Sequence, residues 1–453
     1  MINLKLKTAL DSVASEIKAI KANDVMDNLL WLFLILGPAL SAFVFKFFYY
    51  DVYYWKAVSL YYCTVILFIL LILRITIIKP RFNITIPWPV IILMGVVIIS
   101  SLISPCRDKV LWGQVVFHEG TLTLISYYII FIVSQYIIRT DDFIKRTAYM
   151  LFFIGAFIIY NSFIQEMFLD PYFLRLGGTF GHRNYLASYY TLLLLPAAGL
   201  YLFKKSLERK YLFFLAACIF FSALIAVHTR GAWVGNFLGF ILFIVLARKL
   251  INYKRLAVLA ITFVIIVSII NIWEGGLIFY RFNSLTNDVQ TLSYSQSDKT
   301  HVGSSRYIIW KLSLDLIPKN YLFGAGPDMF QYIFPQEKYM SAVNSKDEQV
   351  ANAHNEYLNM LLTIGIFGLL SYLTLIFMIA KKYLKVYRSN GINTQTSFLM
   401  LGVFCAWCAY LVQAFFNNSV LPTSPTLWAV MGMLWAYSDI SRQKQISDEN
   451  GVG

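Results

Sequence analysis

Arg230, Arg306 and His354 are the residues of this chain whose types and settings point to chemistry. Each stands where a polar stretch meets an apolar one: Arg230 in "VHTRGAW", Arg306 at the head of "RYIIWKLSLDLIPKN", His354 in "ANAHNEYL". A guanidinium stays charged at physiological pH and presents a planar fork of donors that matches a phosphate pair. An imidazole, largely neutral near pH 7, can take the proton of a hydroxyl as that hydroxyl attacks. Together they suggest capture of a lipid-borne diphosphate beside an activated hydroxyl. Simpler readings stay open. An arginine at a bilayer edge can snorkel to headgroups or pair with a carboxylate, and a histidine at a helix start can merely cap it or sit in the interfacial belt. The positive end of the following helix disfavours a protonated His354. Helical spacing predicts Tyr357 on its face, with Asn355 and Glu356 pointing elsewhere.

The elements that must hold these residues are membrane helices. The 453 residues are 58% hydrophobic and 14% charged, against about 25% charged in soluble domains. About twelve apolar runs approach the roughly 20 residues that a helix needs to cross a bilayer. They predict an all-α, polytopic membrane protein with a cytoplasmic segment 1–28, nine spans over 29–272 and one large extracytoplasmic loop over 273–356. Three more spans follow over 357–438, then a cytoplasmic tail over 439–453. The polar first 28 residues predict no cleavable signal peptide. The net charge of +14 would suit nucleic acid, but the excess sorts into alternate loops, with basic clusters at 204–210, 248–255 and 381–388. That is the positive-inside pattern, which places both termini in the cytoplasm and leaves no call for nucleic acid.

Within the large loop, the middle "SLTNDVQTLSYSQSDKTHVGSS" reads as polar and mobile. Arg306 to Ile317 reads as an amphipathic helix on the membrane surface, with Trp310 as its interfacial anchor. Trp112, Tyr332 and Tyr339 are aromatics that could stack on sugar faces, although most aromatics here should face lipid. "GAGPDMF" lacks the preceding strand and following Lys-Ser/Thr of a phosphate loop. His118, His182, His228 and His301 share no metal-ligand spacing, and no outer loop carries Asp-x-Asp, so no metal and no cofactor is expected. Cys405 and Cys408 have CxxC spacing but lie in an apolar run, where small packing residues are the simpler reading.

The set of motifs resembles the O-antigen ligase and polymerase superfamily, over about residues 105–440: "TRGAW" in a tight outer turn, an arginine-led helix, "GAGPDMF", "AHNEYL" opening a helix, and "GGTFGHRNYLASYY" with His182 and Arg183 at its variable pair. The resemblance implies a GT-C-like helical architecture and a glycosyltransferase without metal or nucleotide sugar. Such enzymes take a glycan from undecaprenyl diphosphate at the outer face of the bacterial cytoplasmic membrane and pass it to an acceptor hydroxyl. Carried onto this chain, it implies that Arg230 and Arg306 hold the diphosphate and that His354 deprotonates the acceptor. Gly324 and Gly326 would shape the loop beside the site, and Asn184 would support it. His182, Arg183, Trp310, Asn355 and Tyr357 are further expected substrate contacts. Many members carry an arginine before the Glu-Gly of the loop preceding the fourth span; here Phe117 and His118 precede Glu119-Gly120, so His118 is the candidate substitute.

A diphosphate is a good leaving group that needs charge neutralisation more than a general acid, so two arginines and one base suffice for a single inverting displacement. Three acceptors fit that chemistry: a lipid-anchored sugar, the end of a growing glycan, or a protein Ser, Thr or Tyr. A transporter or flippase of lipid-linked glycan is the reading from another class. Transporters show repeated halves and polar residues at the midplane, whereas here the polar residues gather toward one face.

Overall fold

The computed structural model describes residues 2–43, 52–76, 86–168, 177–205, 208–284, 305–344, 349–390 and 394–449, with side chains from Asn23 to Ser441. The polar middle of the large loop, with His301, lies outside the described residues. Among those described, the fold is helical, with one isolated antiparallel bridge between Phe203 and Ile251. The protein is an all-α polytopic membrane protein.

The helices in chain order are α1 (Ile2–Phe43), α2 (Val52–Thr76), α3 (Trp88–Ile103), short α4 (Arg107–Val110), α5 (Thr121–Ile137) and α6 (Asp141–Phe168). They continue with α7 (Arg183–Leu202), α8 (Lys210–Ala226), α9 (Arg230–Ala247) and α10 (Tyr253–Trp273). Residues 277–284 are helical (α11). The rest of the loop carries α12 (Arg306–Leu314), α13 (Ile317–Asn320), α14 (Phe330–Ile333) and α15 (Gln336–Ala342). The chain closes with α16 (Glu356–Asn390), α17 (Gln395–Gln413) and α18 (Ser424–Glu449). The expected apolar runs overlap helices wherever their residues are described. Among the described residues eight helices are long and apolar enough to cross a membrane, and α3, α5 and α8 are shorter apolar ones.

Burial separates the helices into an inner and an outer set. All of α7 beyond Arg183 and most of α17 are covered by protein, whereas in α10 only Leu259 and Asn271 are buried, as suits a helix with one face to lipid. Glycines let the inner helices close on one another. A Cβ at Gly235 or Gly239 of α9 would strike Ala409 of α17, and one at Gly402 would strike Pro196 of α7. Such small-residue contacts let backbones approach where no hydrophobic effect drives helices together.

A polar ladder runs down this seam. Gln413 Nε2 and Asn417 Nδ2 both donate to Ser188 Oγ, Thr191 Oγ1 donates to Gln413 Oε1, and Asn236 Nδ2 donates to Thr191 Oγ1. At about 0.6 kcal/mol for an average interhelical bond, the ladder matters more for register than for stability. Cys405 and Cys408 lie on α17, both as free thiols.

The large loop packs as a cap with its own small core of Ile309, Phe330, Phe334, Tyr339, Val350, Ala353 and Leu362. This revises the expected surface helix. α12 ends at Leu314 and buries Ile309 and Ser313 in the cap. The Trp310 indole donates to the Ala353 carbonyl at 3.0 Å. An amphipathic face serves a protein core as readily as a headgroup layer, and here the core takes it. Tyr339 is 1% exposed in that core, which removes it from the aromatics that could meet a sugar; Trp112 and Tyr332 remain exposed.

Under the cap, α16 is broken at Gly365 (φ 72, ψ −175). The "FGAG" turn seats across the break: Ala325 N–H donates to Leu362 O, Gly326 N–H to Thr363 O, and Ile366 N–H to Tyr321 O. A helix interrupted in this way is tolerated at membrane depth when neighbouring protein re-satisfies its backbone.

Candidate functional site

Two helix N-termini meet at the centre of the site. His182 is the N-cap of α7, and its Nδ1 accepts the Asn184 N–H at 3.1 Å, so Arg183 is the first helical residue. The turn before it is pinned to α1 and α2, with Thr179 Oγ1 donating to Ala42 O and Tyr53 Oη donating to Phe180 O. Thr229 is the N-cap of α9 and Arg230 its first residue. Thr229 Oγ1 donates to Asn184 Oδ1 at 3.3 Å, tying the two helix starts together. The N–H groups and the positive end of a helix form a natural anion site.

The loop closes over these termini. Arg230 Nη1 donates to Ser284 Oγ at 2.9 Å, which fastens α9 to α11. Arg281 of α11, Arg306 at the start of α12, and His354 just before α16 complete a cavity of about 120 Å³, room for several waters or a compact anion. Among the described residues its lining includes four arginines (Arg183, Arg230, Arg281 and Arg306) and no carboxylate. His228 also lines it, with Nε2 at 2.5 Å from Oε2 of Glu274 at the end of α10.

The backbone is forced at three of these positions. Ser305, His228 and His354 all have left-handed conformations (φ 63, 52 and 47). Such geometry costs on the order of 1–3 kcal/mol per residue, and it collects at functional sites. At His354 it is held by Asn352, whose Oδ1 accepts the His354 N–H at 2.9 Å. Burial, with Arg306 and His182 close by, pulls His354 down to about 3. Burial, with Arg183 and Arg306, pulls His182 down to about 4. Both rings are neutral at physiological pH. Among the described residues the His354 ring makes no hydrogen bond.

Two further cavities adjoin. An acidic one of about 90 Å³ lies on the far side of the 352–356 segment, lined by Asn352, Glu119, Asp328 and Glu356 among others. Asp328 accepts from the Gln114 and Glu119 backbone N–H groups and from Gln114 Nε2, while burial pushes it up to about 7. Glu356 accepts from the hydroxyls of Tyr372 and Tyr410. The other is an apolar groove of about 540 Å³ between α6, α8 and α10, lined by Phe163, Ile219, Ala223, Ile266 and Trp273 and reaching Glu274. It therefore ends at the carboxylate bonded to His228.

Of the expected residues, the structure gathers His354, Arg230, Arg306, Arg183, Asn184 and His182 into one cavity. It places others elsewhere. Trp310 braces the His354 segment through Ala353. Asn355 caps α16 through Leu358 N–H. Tyr357 donates to Leu411 O and packs on Phe415; because α16 begins at Glu356 and His354 is left-handed, helical spacing does not connect His354 to Tyr357. Gly324 and Gly326 sit against Thr363 and Ser104 at the break in α16. His118, also left-handed, turns its ring toward Tyr54 and lies outside the arginine cavity. Unforeseen were Arg281, the His228–Glu274 pair, Gln413 and Asn417. His228 adjoins Arg230 in its motif; Arg281 carries no motif at all.

With that geometry in view, residues 213–373, which carry Arg230, Arg281, Arg306 and His354, match the O-Antigen ligase family. The chain is also 27% identical, over 285 residues, to the ComP-specific O-oligosaccharyltransferase of Acinetobacter baylyi (strain ATCC 33305 / BD413 / ADP1). That match covers 59% of this chain and 49% of the relative, so the chain matches about half the length of that protein. The family match starts after α7. The His182–Asn184 side of the cavity therefore lies outside the matched stretch.

Proposed function

We propose that this protein is a glycosyltransferase that moves a glycan from undecaprenyl diphosphate to an acceptor hydroxyl at the outer face of the cytoplasmic membrane. The observation that carries the reading is the cavity lined, among the described residues, by four arginines and no carboxylate, with the neutral His354 ring beside them. Arginine forks at two helix N-termini suit a diphosphate. The apolar groove between α6, α8 and α10 gives the lipid tail a course into the bilayer, since it ends beside the cavity.

In this reading a His354 ring nitrogen takes the acceptor proton and the acceptor oxygen attacks the anomeric carbon. The bond from that carbon to the phosphate oxygen breaks, and the electron pair leaves on the lipid diphosphate, with inversion at carbon. The half-buried arginines offset the charge gained by the leaving group, and such interactions are stronger there than in bulk water. Burial is the larger cause of the low basicity of His354 and Arg306 the next; a diphosphate among the arginines offsets the second and raises the basicity of the ring.

The family name favours a sugar acceptor, and the name of the Acinetobacter relative favours a protein one. The test is transfer in proteoliposomes from undecaprenyl-diphosphate-linked glycan to lipid-anchored sugar, glycan end or protein, with His354→Ala and Arg306→Ala beside wild type. Transfer lost in both folded variants supports the reading, and the product names the acceptor. Full activity in His354→Ala removes the base. Movement of lipid-linked glycan across the bilayer without transfer would favour a flippase.

A further inference from the structure

The stretch from Val350 to His354 brings His354 to the arginine cavity, yet it belongs to no helix. Irregular backbone of this kind must find its hydrogen bonds in neighbouring groups. Gln336 of α15 clasps Val350, with Nε2 donating to its carbonyl at 2.8 Å and Oε1 accepting its N–H at 2.9 Å. Ala353 is held by Trp310 and by Asn359 Oδ1, which accepts its N–H at 3.2 Å. Asn352 Nδ2 donates to the Tyr185 hydroxyl at 3.5 Å. Ala351 is taken by a residue from another part of the chain. Gln114, in the loop before α5, donates from Nε2 to the Ala351 carbonyl at 3.1 Å.

The same Nε2 donates to Asp328 Oδ1 at 2.7 Å. The amide nitrogen thus meets two acceptors, which fixes the orientation of the group, since an oxygen in its place would face oxygens. The consequence is an orphan. Gln114 is 2% exposed, and its Oε1 is buried with no hydrogen-bond partner among the described residues. A buried amide that leaves its own oxygen unpaired calls for a reason beyond packing. Asp328 is fixed in turn from its other side, where Oδ2 accepts the backbone N–H groups of Gln114 at 2.8 Å and Glu119 at 3.1 Å. Gly113 admits the carboxylate, because a Cβ there would lie 2.6 Å from Oδ2. A line of bonds therefore runs from the cap, through Asp328 and Gln114, to the strap that carries His354.

We propose that Gln114 is a positioning residue for His354: its amide, anchored on Asp328, holds the 350–354 strap where the ring meets the cavity. The inference rests on the glycosyl-transfer reading above. A base must lie within hydrogen-bond reach of the hydroxyl that it deprotonates, and a misplacement of about 1 Å can lower a rate by about 10²-fold. Gln114 stands outside the lining of the arginine cavity and acts through Ala351. The unpaired Oε1 then has its reason, because the amide is kept for what its nitrogen can donate to at once: the anchor and the strap.

The test is transfer from undecaprenyl-diphosphate-linked glycan in proteoliposomes, read as kcat and KM, beside Tm and amide hydrogen exchange over 350–354. Gln114→Leu removes both bonds and the orphan oxygen together. It should leave Tm near wild type and KM for the donor within about twofold, while kcat falls about tenfold or more. The 350–354 amides should exchange about tenfold faster. Gln114→Glu combined with Asp328→Asn separates positioning from a plain clamp between loop and cap. The amide introduced at 328 keeps the two backbone N–H bonds on its oxygen and donates to the carboxylate introduced at 114. Loop and cap stay joined at the same formal charge, but nothing at 114 can donate to the Ala351 carbonyl. Tm should therefore stay near wild type in the double variant, with kcat as low as in Gln114→Leu. Undiminished kcat in Gln114→Leu, or wild-type kcat in the double variant, overturns the inference. If Gln114→Leu does not fold, the double variant decides. Absence of transfer by wild type would overturn the reading beneath, whereas unchanged exchange over 350–354 in Gln114→Leu sinks this inference alone.

Discussion

Asn352 Oδ1 accepts the backbone N–H of His354 at 2.9 Å, and the same Asn352 side chain lines the acidic cavity on the other side of the segment. One amide thus stands between the arginine cavity and the buried carboxylates and holds His354 in a conformation that few residues adopt. Asn352→Ala removes the acceptor. The expected stability loss is about 1–2 kcal/mol, read as a lower Tm, with a kcat at least about tenfold lower because His354 is no longer aimed. An unchanged kcat would mean that His354 holds its own pose.

Arginine and lysine are not interchangeable where a planar fork meets a diphosphate. Arg230→Lys and Arg306→Lys keep the charge and lose the fork. Each should raise KM for the lipid-linked donor by about tenfold or more, while leaving expression and Tm near wild type. Arg281→Lys should behave in the same way if α11 closes over the donor. Donor titrations at two ionic strengths would check this, because partly buried pairs are screened little by salt.

The two lowered histidines make a pH prediction whose sign is fixed. In the unfolded chain each binds a proton below about 6.5, whereas in the folded protein His354 stays neutral down to about 3 and His182 down to about 4. The unfolded state therefore binds more protons across that window, and their stabilising effect is lost as pH falls through it. Tm of the donor-free protein should drop on acidification, and His354→Gln should flatten the drop. The acid limb of kcat should also lie at higher pH than that of kcat/KM, since the first reports the donor-bound enzyme and the second the empty one.

Gly365 tests the seat of the cap. Its φ of 72 favours glycine, and a Cβ there would lie 2.1 Å from the Leu322 carbonyl oxygen. Gly365→Ala should cost more than about 2 kcal/mol, combining backbone strain with a backbone clash. Thermal unfolding should show it, with loss of transfer as the 321–326 turn lifts from α16. Gly368→Ala, which meets its own helix neighbour Ile364, is the comparison and should be milder.

Much of this arrangement was legible in the sequence. Apolar runs of bilayer length marked the helices, and His354, Arg230, Arg306 and the His182–Asn184 stretch converge in space as their polar settings suggested. What stayed hidden depends on tertiary geometry. Arg281 has no motif, and only the fold of α11 over α9 brings it to the cavity. His228 and Glu274 are partners across two helices. A break at Gly365 cannot be told from an ordinary glycine in an apolar run. Tyr357 was misplaced because helical spacing was carried across a residue that is not helical, and Trp310 because an amphipathic face does not declare whether lipid or protein will cover it.

The enclosure of α7 has a consequence for how the protein is made. This helix carries Asn184, Ser188 and Thr191 toward a seam that α17 completes, yet α17 is synthesised roughly two hundred residues later. At about 5–20 residues per second the wait is on the order of ten to forty seconds. During that interval the hydroxyls and amides of α7 would face hydrocarbon or an insertion machinery. Assembly must therefore be late and cooperative: the first half of the chain enters the membrane long before it can become a site, and the arginine cavity forms only when the last helices arrive to close it.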